Sequence, residues 1–331
     1  MPEKLFRAAL REALMEEMER DENVFLIGED IGVFGGAYRV TEGLLDRFGP
    51  MRVVDAPIAE EVIAGTAIGA AMSGLRPVVE MMTINFSLQA YDQIVQNAAK
   101  IRYMFGGEVS VPMVMRLPGG AGHQLSSQHS HSLEVLYAFV PGLLAVAPTT
   151  PEDAKGLLKS AIRTDNPVMF LESMSLYNLR GEVPDGDYTT PIGRAAVRRP
   201  GSDLTIIGVS RQAVLAGIAG QRLEEEDVDA EVIDLRSLRP IDWPTLVDSI
   251  RRTNRCLVVE EGWTTYGVGA EIAAGLQDRA FDDLDAPIRR LGGAEVPMPY
   301  NKEMERSAIP SADDIVREAL RVVGKRQPAG V

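Results

Sequence analysis

The three histidines of this 331-residue chain, His123, His129 and His131, all fall in one stretch, residues 119–132, among glycines, serines and glutamines. Imidazole titrates near neutral pH, ligates metals and shuttles protons, so the loop that holds all of it is marked for chemistry. Three uses fit these residue types. His129 and His131 occupy alternate positions of an extended segment and share a face, which suits chelation. A zinc site needs three or four ligands in fixed geometry, however, and no Asp or Glu lies in the stretch to complete one. Polar loop histidines can also bond the backbone. The third use is acid–base or substrate-polarising chemistry.

A second candidate is Glu60, in Asp55-Ala56-Pro57-Ile58-Ala59-Glu60-Glu61. A carboxylate in the first turn of a helix complements the helix dipole. Flanked by Ile58, Val62 and Ile63, it would also be desolvated, and its pKa would rise toward the range of an acid–base catalyst. The helix that follows is rich in small residues (Gly65, Ala67, Gly69, Ala70, Ala71), which suits close approach by another backbone or another chain. Further on, Phe86 can offer a ring face and Gln89 an amide; each fits a core or helix-start position as well.

Other motifs are weaker. Gly267-Val268-Gly269-Ala270-Glu271-Ile272 opens a helix after a strand, but its sixth position is Ile272, and a tight turn into a closely packed helix explains it equally. Neither a Walker-type phosphate loop nor a Gly-x-Ser-x-Gly elbow occurs.

The elements that must position these residues alternate nearly end to end. Apolar strands are expected at 24–27, 52–55, 77–82, 112–117, 143–147 and 168–172, with helices at 60–73, 88–102 and 151–163. Thr150 as N-cap, Pro151 and Asp153 mark the start of the last helix. Residues 186–202 lose periodicity and read as a linker. Strands at 204–209, 230–235, 256–260 and 287–291 then alternate with helices at 211–225, 243–253, 268–277 and 311–323. The expectation is an α/β protein of two parallel-sheet domains, 1–185 and 203–331. Ligands of such sheets bind outside the carboxyl ends of the strands, and the histidine stretch follows the strand at 112–117.

Bulk composition narrows the class. The chain is 45% hydrophobic and 25% charged, as globular proteins are. A net charge of −14 argues against nucleic acid and fits either a basic protein partner or plain solubility. No apolar run spans a bilayer, and the N-terminus reads as an amphipathic helix start without a signal-peptide core. The single cysteine, Cys256, forms no internal disulfide and lies in an apolar run; a cytoplasmic compartment is expected.

Together the residues resemble the β subunits of thiamine-diphosphate-dependent 2-oxoacid dehydrogenases, the decarboxylating first component, and among them the pyruvate type most closely. The resemblance covers essentially the whole chain. It is carried by Gly28-Glu29-Asp30-Ile31-Gly32, by Asp55 to Glu60, Gly74-Leu75-Arg76-Pro77, Asn85-Phe86-Ser87, Gln128-His129-Ser130 and Ser160-Ala161-Ile162-Arg163. In the second half it is carried by Val232-Ile233-Asp234-Leu235-Arg236, Gly267 to Glu271 and Pro297-Met298-Pro299-Tyr300.

The resemblance implies a thiamine-pyrimidine-binding domain followed by a transketolase C-terminal-like domain. It implies that Glu60 bonds a ring nitrogen of the aminopyrimidine, driving its amino group to the imino form that deprotonates the thiazolium carbon. It places Phe86 and Gln89 in the aminopyrimidine pocket, and His129 near the thiazolium and the transfer to lipoyl. His123 and His131 have no family counterpart. The Gly-Asp-Gly and Asn of a magnesium-diphosphate site are absent, so an α subunit is implied to hold Mg2+ and diphosphate in an α2β2 tetramer. The lipoyl-bearing dihydrolipoyl acyltransferase core is the implied partner. A structural potassium ion is implied at the main-chain oxygens of Met113, Ala161, Thr164 and Asn166, with Thr164 standing where the family has Asp. The implied activity is oxidative decarboxylation of pyruvate; branched-chain or acetoin substrates, and from another class a histidine-loop metal hydrolase, are the alternatives.

Overall fold

The computed structural model describes residues 2–325, which form two compact units, one of residues 2–120 and 136–192, the other of 121–135 and 193–325. The expected domains, 1–185 and 203–331, differ from these units over 121–135. That stretch, with all three histidines, belongs to the second unit, because carboxylates of that unit bond its backbone.

In the first unit, the strands Leu144–Val146, Val168–Ser173, Val114–Gly119, Arg76–Glu80, Val24–Gly28 and Val53–Asp55 lie side by side in that order, all parallel. Their nearly unbroken apolar runs follow from burial on both faces. In register, Gly28 lies beside Glu80, and Glu80 beside Arg116. Helix Pro151–Arg163 begins as its sequence predicts: the Thr150 side chain accepts the Asp153 N–H at 3.1 Å. It packs along helix Phe6–Arg20, where buried Lys155 reaches Glu12 and Glu16, each at 2.7 Å.

The expected helix at 88–102 is instead broken into a 3-10 turn Phe86–Leu88, a π turn Gln93–Ala98 and a short helix Ile101–Met104. The Ala99 N–H reaches back five residues to the Ile94 carbonyl at 3.0 Å. Gly142, at φ +98°, presses against this widened turn, where a Cβ would come within 1.9 Å of the Ala99 carbonyl oxygen. Tertiary contact overrides the helical period here.

In the second unit, Arg289–Gly293, Cys256–Trp263, Leu204–Gly208 and Ala230–Asp234 form a parallel sheet closed at one edge by antiparallel Ala196–Arg199. That last strand lies inside the expected linker. Its arginines pair with acids, Arg198 with buried Asp234 at 2.8 Å and Arg199 with exposed Asp229 at 2.9 Å, so it carries no apolar alternation. The core beneath is apolar, with Leu204, Ile206, Val232, Leu257, Val259, Ile315 and Ala319 at its centre.

Candidate active site

The strands of the first unit end at Gly28, Asp55 and Glu80, and the loops beyond these ends carry the candidate residues. Asp55 accepts the Gly32 N–H at 2.6 Å and the Val33 N–H at 3.2 Å, drawing the Gly28–Gly32 turn over the sheet edge. Glu60 opens helix Glu60–Met72 and is only 4% exposed. Its burial does not come from the flanking residues expected to desolvate it: Ile58 is 81% and Val62 64% exposed, and only Ile63 turns inward. The helix packs beside the Phe86–Leu88 turn and the π turn. Glu60 makes no hydrogen bond or ion pair with another described residue, yet its carboxyl oxygens are not sealed from solvent, so they stay open to an incoming group. Glu29, on the Gly28–Gly32 turn, is raised above the usual carboxylate range by burial first, then by Glu60 and Asp30.

Phe86 is half-buried and Gln89 exposed, and the Gln89 N–H closes their turn on the Phe86 carbonyl at 3.0 Å. Ser87 anchors that turn, donating to the Ile84 carbonyl at 2.5 Å and bonding the Tyr137 hydroxyl. Behind it lies a buried ionic cluster that sequence reasoning missed. Arg116 grips Glu172 with two bonds, 2.7 and 2.8 Å, and also bonds Glu80; Tyr177 donates to Glu172 at 2.6 Å. Burial raises Glu80, with Arg116 opposing. The available signal was three charged residues inside otherwise apolar strands.

In the second unit, His123 and His129 are exposed, while His131 is half-buried with its ring edge-on to Trp263, centroids 6.0 Å apart. Burial lowers the His131 pKa. Two glutamates hold the stretch, Glu261 half-buried and Glu305 wholly buried. Glu261 accepts the Ala121 N–H at 2.7 Å and the Ser132 hydroxyl at 3.1 Å. Glu305 accepts the Gly122 N–H at 2.9 Å, the Gln124 N–H at 3.2 Å and the Gln124 side-chain amide at 2.7 Å. Burial pushes Glu134, at the end of the stretch, up to about 8, with Glu261 and Glu260 adding.

Residues 3–180 match the family model for the transketolase pyrimidine binding domain, and residues 193–315 that for the transketolase C-terminal domain. A pyruvate dehydrogenase E1 component subunit beta from Rickettsia felis is 48% identical over 316 residues, 96% of this chain and 97% of the relative. The mitochondrial subunit beta-2 of Oryza sativa subsp. japonica is 48% identical over 98% of this chain and 88% of its own length. The mitochondrial subunit beta of Dictyostelium discoideum is 47% identical over 97% and 91%. The chain belongs to the pyruvate dehydrogenase E1 β-subunit family. Among solved structures, a split gene transketolase described as an inactive beta4 tetramer shares the fold, with a TM-score of 0.79 over 97% of this chain and 99% of that one, at 21% identity.

As a member of this β-subunit family, the chain has the two transketolase-like domains expected of it, and the metal-hydrolase reading of its histidines falls away. Among the described residues no group of three or more His, Cys, Asp and Glu could hold a metal ion. The glycine motif at Gly267 serves an internal purpose. The Gly269 N–H donates to Glu260 at 3.0 Å, and a Cβ at Gly267 or Gly269 would come within 2.4 or 2.6 Å of that carboxyl. Glu260 fills the helix N-terminus where a nucleotide phosphate would otherwise sit. Burial pushes it up to about 7 against the opposing Gly269 and Val268 N–H groups.

The potassium expectation meets a competing cation. Arg76 donates to the carbonyls of Ile162 at 3.0 Å and Thr164 at 3.1 Å, and pairs with Asp165 at 2.6 Å. The Met113 carbonyl accepts the Val168 N–H at 2.9 Å, and the Asn166 side chain bonds the Thr164 hydroxyl at 3.4 Å. Two of the four carbonyls assigned to the ion are therefore already engaged, and the positive charge favoured at the end of helix Pro151–Arg163 is present as Arg76.

Proposed function

We propose that this chain supplies the aminopyrimidine half of a thiamine diphosphate site and works with an α subunit, as an α2β2 tetramer, in the oxidative decarboxylation of pyruvate and reductive acetylation of lipoyl on an acyltransferase core. The observation that carries the site is Glu60, only 4% exposed at the edge of the sheet, bonded to no other described residue and with its carboxyl oxygens still open. Such a carboxyl can share a proton with a pyrimidine ring nitrogen, which by itself is an acceptor.

When bound, thiamine diphosphate supplies the carbon nucleophile and electron sink of the reaction. Glu60 holds the hydrogen bond to its ring, Phe86 offers an apolar face and Gln89 an amide beside it, and His129 handles the proton during transfer to lipoyl. Magnesium and diphosphate belong to the α subunit, because the chain lacks the segment that holds them. The open face of helix Glu60–Met72, lined by exposed Val62, Gly69 and Met72, is assigned to subunit contact. A potassium ion at Met113, Ala161, Thr164 and Asn166 would share the Thr164 carbonyl with Arg76 and takes no part in the chemistry proposed. The location proposed is the cytoplasm, in keeping with a single cysteine buried as a free thiol; some relatives are named mitochondrial.

Co-expression with the α subunit, followed by a 2-oxoacid panel with thiamine diphosphate and magnesium, tests this reading. Pyruvate should be turned over in preference to branched-chain acids and acetoin. Preference for a branched-chain acid, or turnover by the β chain alone, would overturn it.

A further inference from the structure

We propose that Glu305 is a positioning residue for His129, acting through the backbone of the loop that carries it; the inference rests on the role given to His129 above. The loop needs holding. Gln124 at φ +54° and Ser126 at φ +66° adopt the left-handed conformation that side chains other than glycine disfavour, with Gly120 and Gly122 left-handed beside them. The His129 N–H bonds the Ser126 carbonyl at 3.3 Å, so the direction taken at 126 is passed to the histidine.

Glu305 meets this strained turn with its full capacity. It is wholly buried and accepts the N–H of Gly122, the N–H of Gln124 at 3.2 Å to each oxygen, and the Gln124 side-chain amide. These bonds are made to a turn in which Gln124 is left-handed, so they favour that conformation over its alternatives. Glu261 ties the two ends of the same loop, at Ala121 and Ser132, leaving residues 125–131 as the presented arc. Glu305 is itself fixed on helix Lys302–Ala308, whose Asn301 cap accepts the Glu303 and Met304 N–H groups at 3.0 and 3.1 Å. The Pro297-Met298-Pro299-Tyr300 segment, which had no role of its own, leads directly into that cap.

The test uses the enzyme reconstituted with its α subunit, thiamine diphosphate and magnesium, assayed both for acetylation of a lipoyl domain and for pyruvate oxidation with ferricyanide, which bypasses lipoyl. Glu305→Ala should lower lipoyl acetylation about 10²-fold, the loss expected for a displacement of about 1 Å, while ferricyanide turnover falls less than about 3-fold. Glu305→Gln, which keeps one acceptor, should fall between. Gln124→Pro leaves the helix untouched but removes the donor and forbids positive φ, so it should reproduce the loss. Amide exchange across residues 121–132 should quicken in all three variants.

Equal losses in both assays, unchanged acetylation or unchanged loop exchange would overturn the inference. His129→Ala separates the two claims. If acetylation survives it, the role of His129 is wrong and this inference goes with it. If acetylation is lost in His129→Ala but kept in Glu305→Ala and Gln124→Pro, only the positioning role fails.

Discussion

Glu60→Met should weaken the catalyst and leave the fold nearly unchanged. The carboxyl makes no hydrogen bond or ion pair with another described residue, and its oxygens are not sealed from solvent, so the fold neither gains a bond from it nor bears an unsatisfied acceptor. A carboxylate in the first helical turn contributes about 0.3–1 kcal/mol through the helix dipole, part of which Glu61 retains. The change should therefore stay below about 1 kcal/mol, or below about 4 °C in Tm for units of this size. Thermal unfolding of the cofactor-free αβ complex at fixed concentration reads it. In the same variant the ring nitrogen loses the carboxyl that shares its proton, and pyruvate turnover should fall at least about 10²-fold, as when a positioned acid–base group is removed. Adding thiamine diphosphate should also raise Tm less than in the parent. A Tm lower by more than about 4 °C would show that Glu60 serves the fold, and turnover within about 3-fold of the parent would refute its role toward the cofactor.

Glu260, raised by burial from an ordinary 4.5 to about 7, keeps its proton in the folded chain at pH values where the unfolded chain has lost it, so its stabilising effect is full below about pH 4.5 and declines as pH rises to about 7. Denaturation of the parent and of Glu260→Gln across pH 5–8 should show the steeper decline in the parent, and parallel curves would contradict it. Arg116→Met leaves Glu80 and Glu172 buried without their cation and should destabilise the complex by about 3–5 kcal/mol in urea; a loss below about 1 kcal/mol would mean that the cluster is not held by charge. Exchanging potassium for sodium should move Tm by less than about 2 °C, since Arg76 already serves the helix end. A larger fall would restore the ion site.

Much of the architecture is readable from local chemistry. Helix Pro151–Arg163 begins where Thr150, Pro151 and Asp153 say it must, and the buried parallel strands show as apolar runs. What is not readable depends on distant contact. Nothing in residues 86–104 announces a π turn, at whose end Gly142, distant in sequence, packs so closely that a Cβ there would meet the Ala99 carbonyl oxygen. The strand Ala196–Arg199 is an ion-paired edge, so it lacks the alternation that reveals strands. Glu60 was legible as a buried acid, but the wrong neighbours were credited: Ile58 and Val62 face outward. Glu305 was invisible for a plainer reason. Lys302–Ala308 holds four charged residues in its first five positions, and only the fold shows which one turns inward.

The chain leaves its first unit at Gly120, lends fifteen residues to the second and returns at Leu136. A boundary drawn near residue 190 therefore does not divide the molecule into separable modules. A fragment begun at residue 203 would carry Glu261 and Glu305 without the backbone amides that bond them. It would be deprived of a piece of its own interior rather than of a neighbour. Any dissection, domain graft or gene fission of this protein must transplant residues 121–135 with the second half or redesign both glutamates.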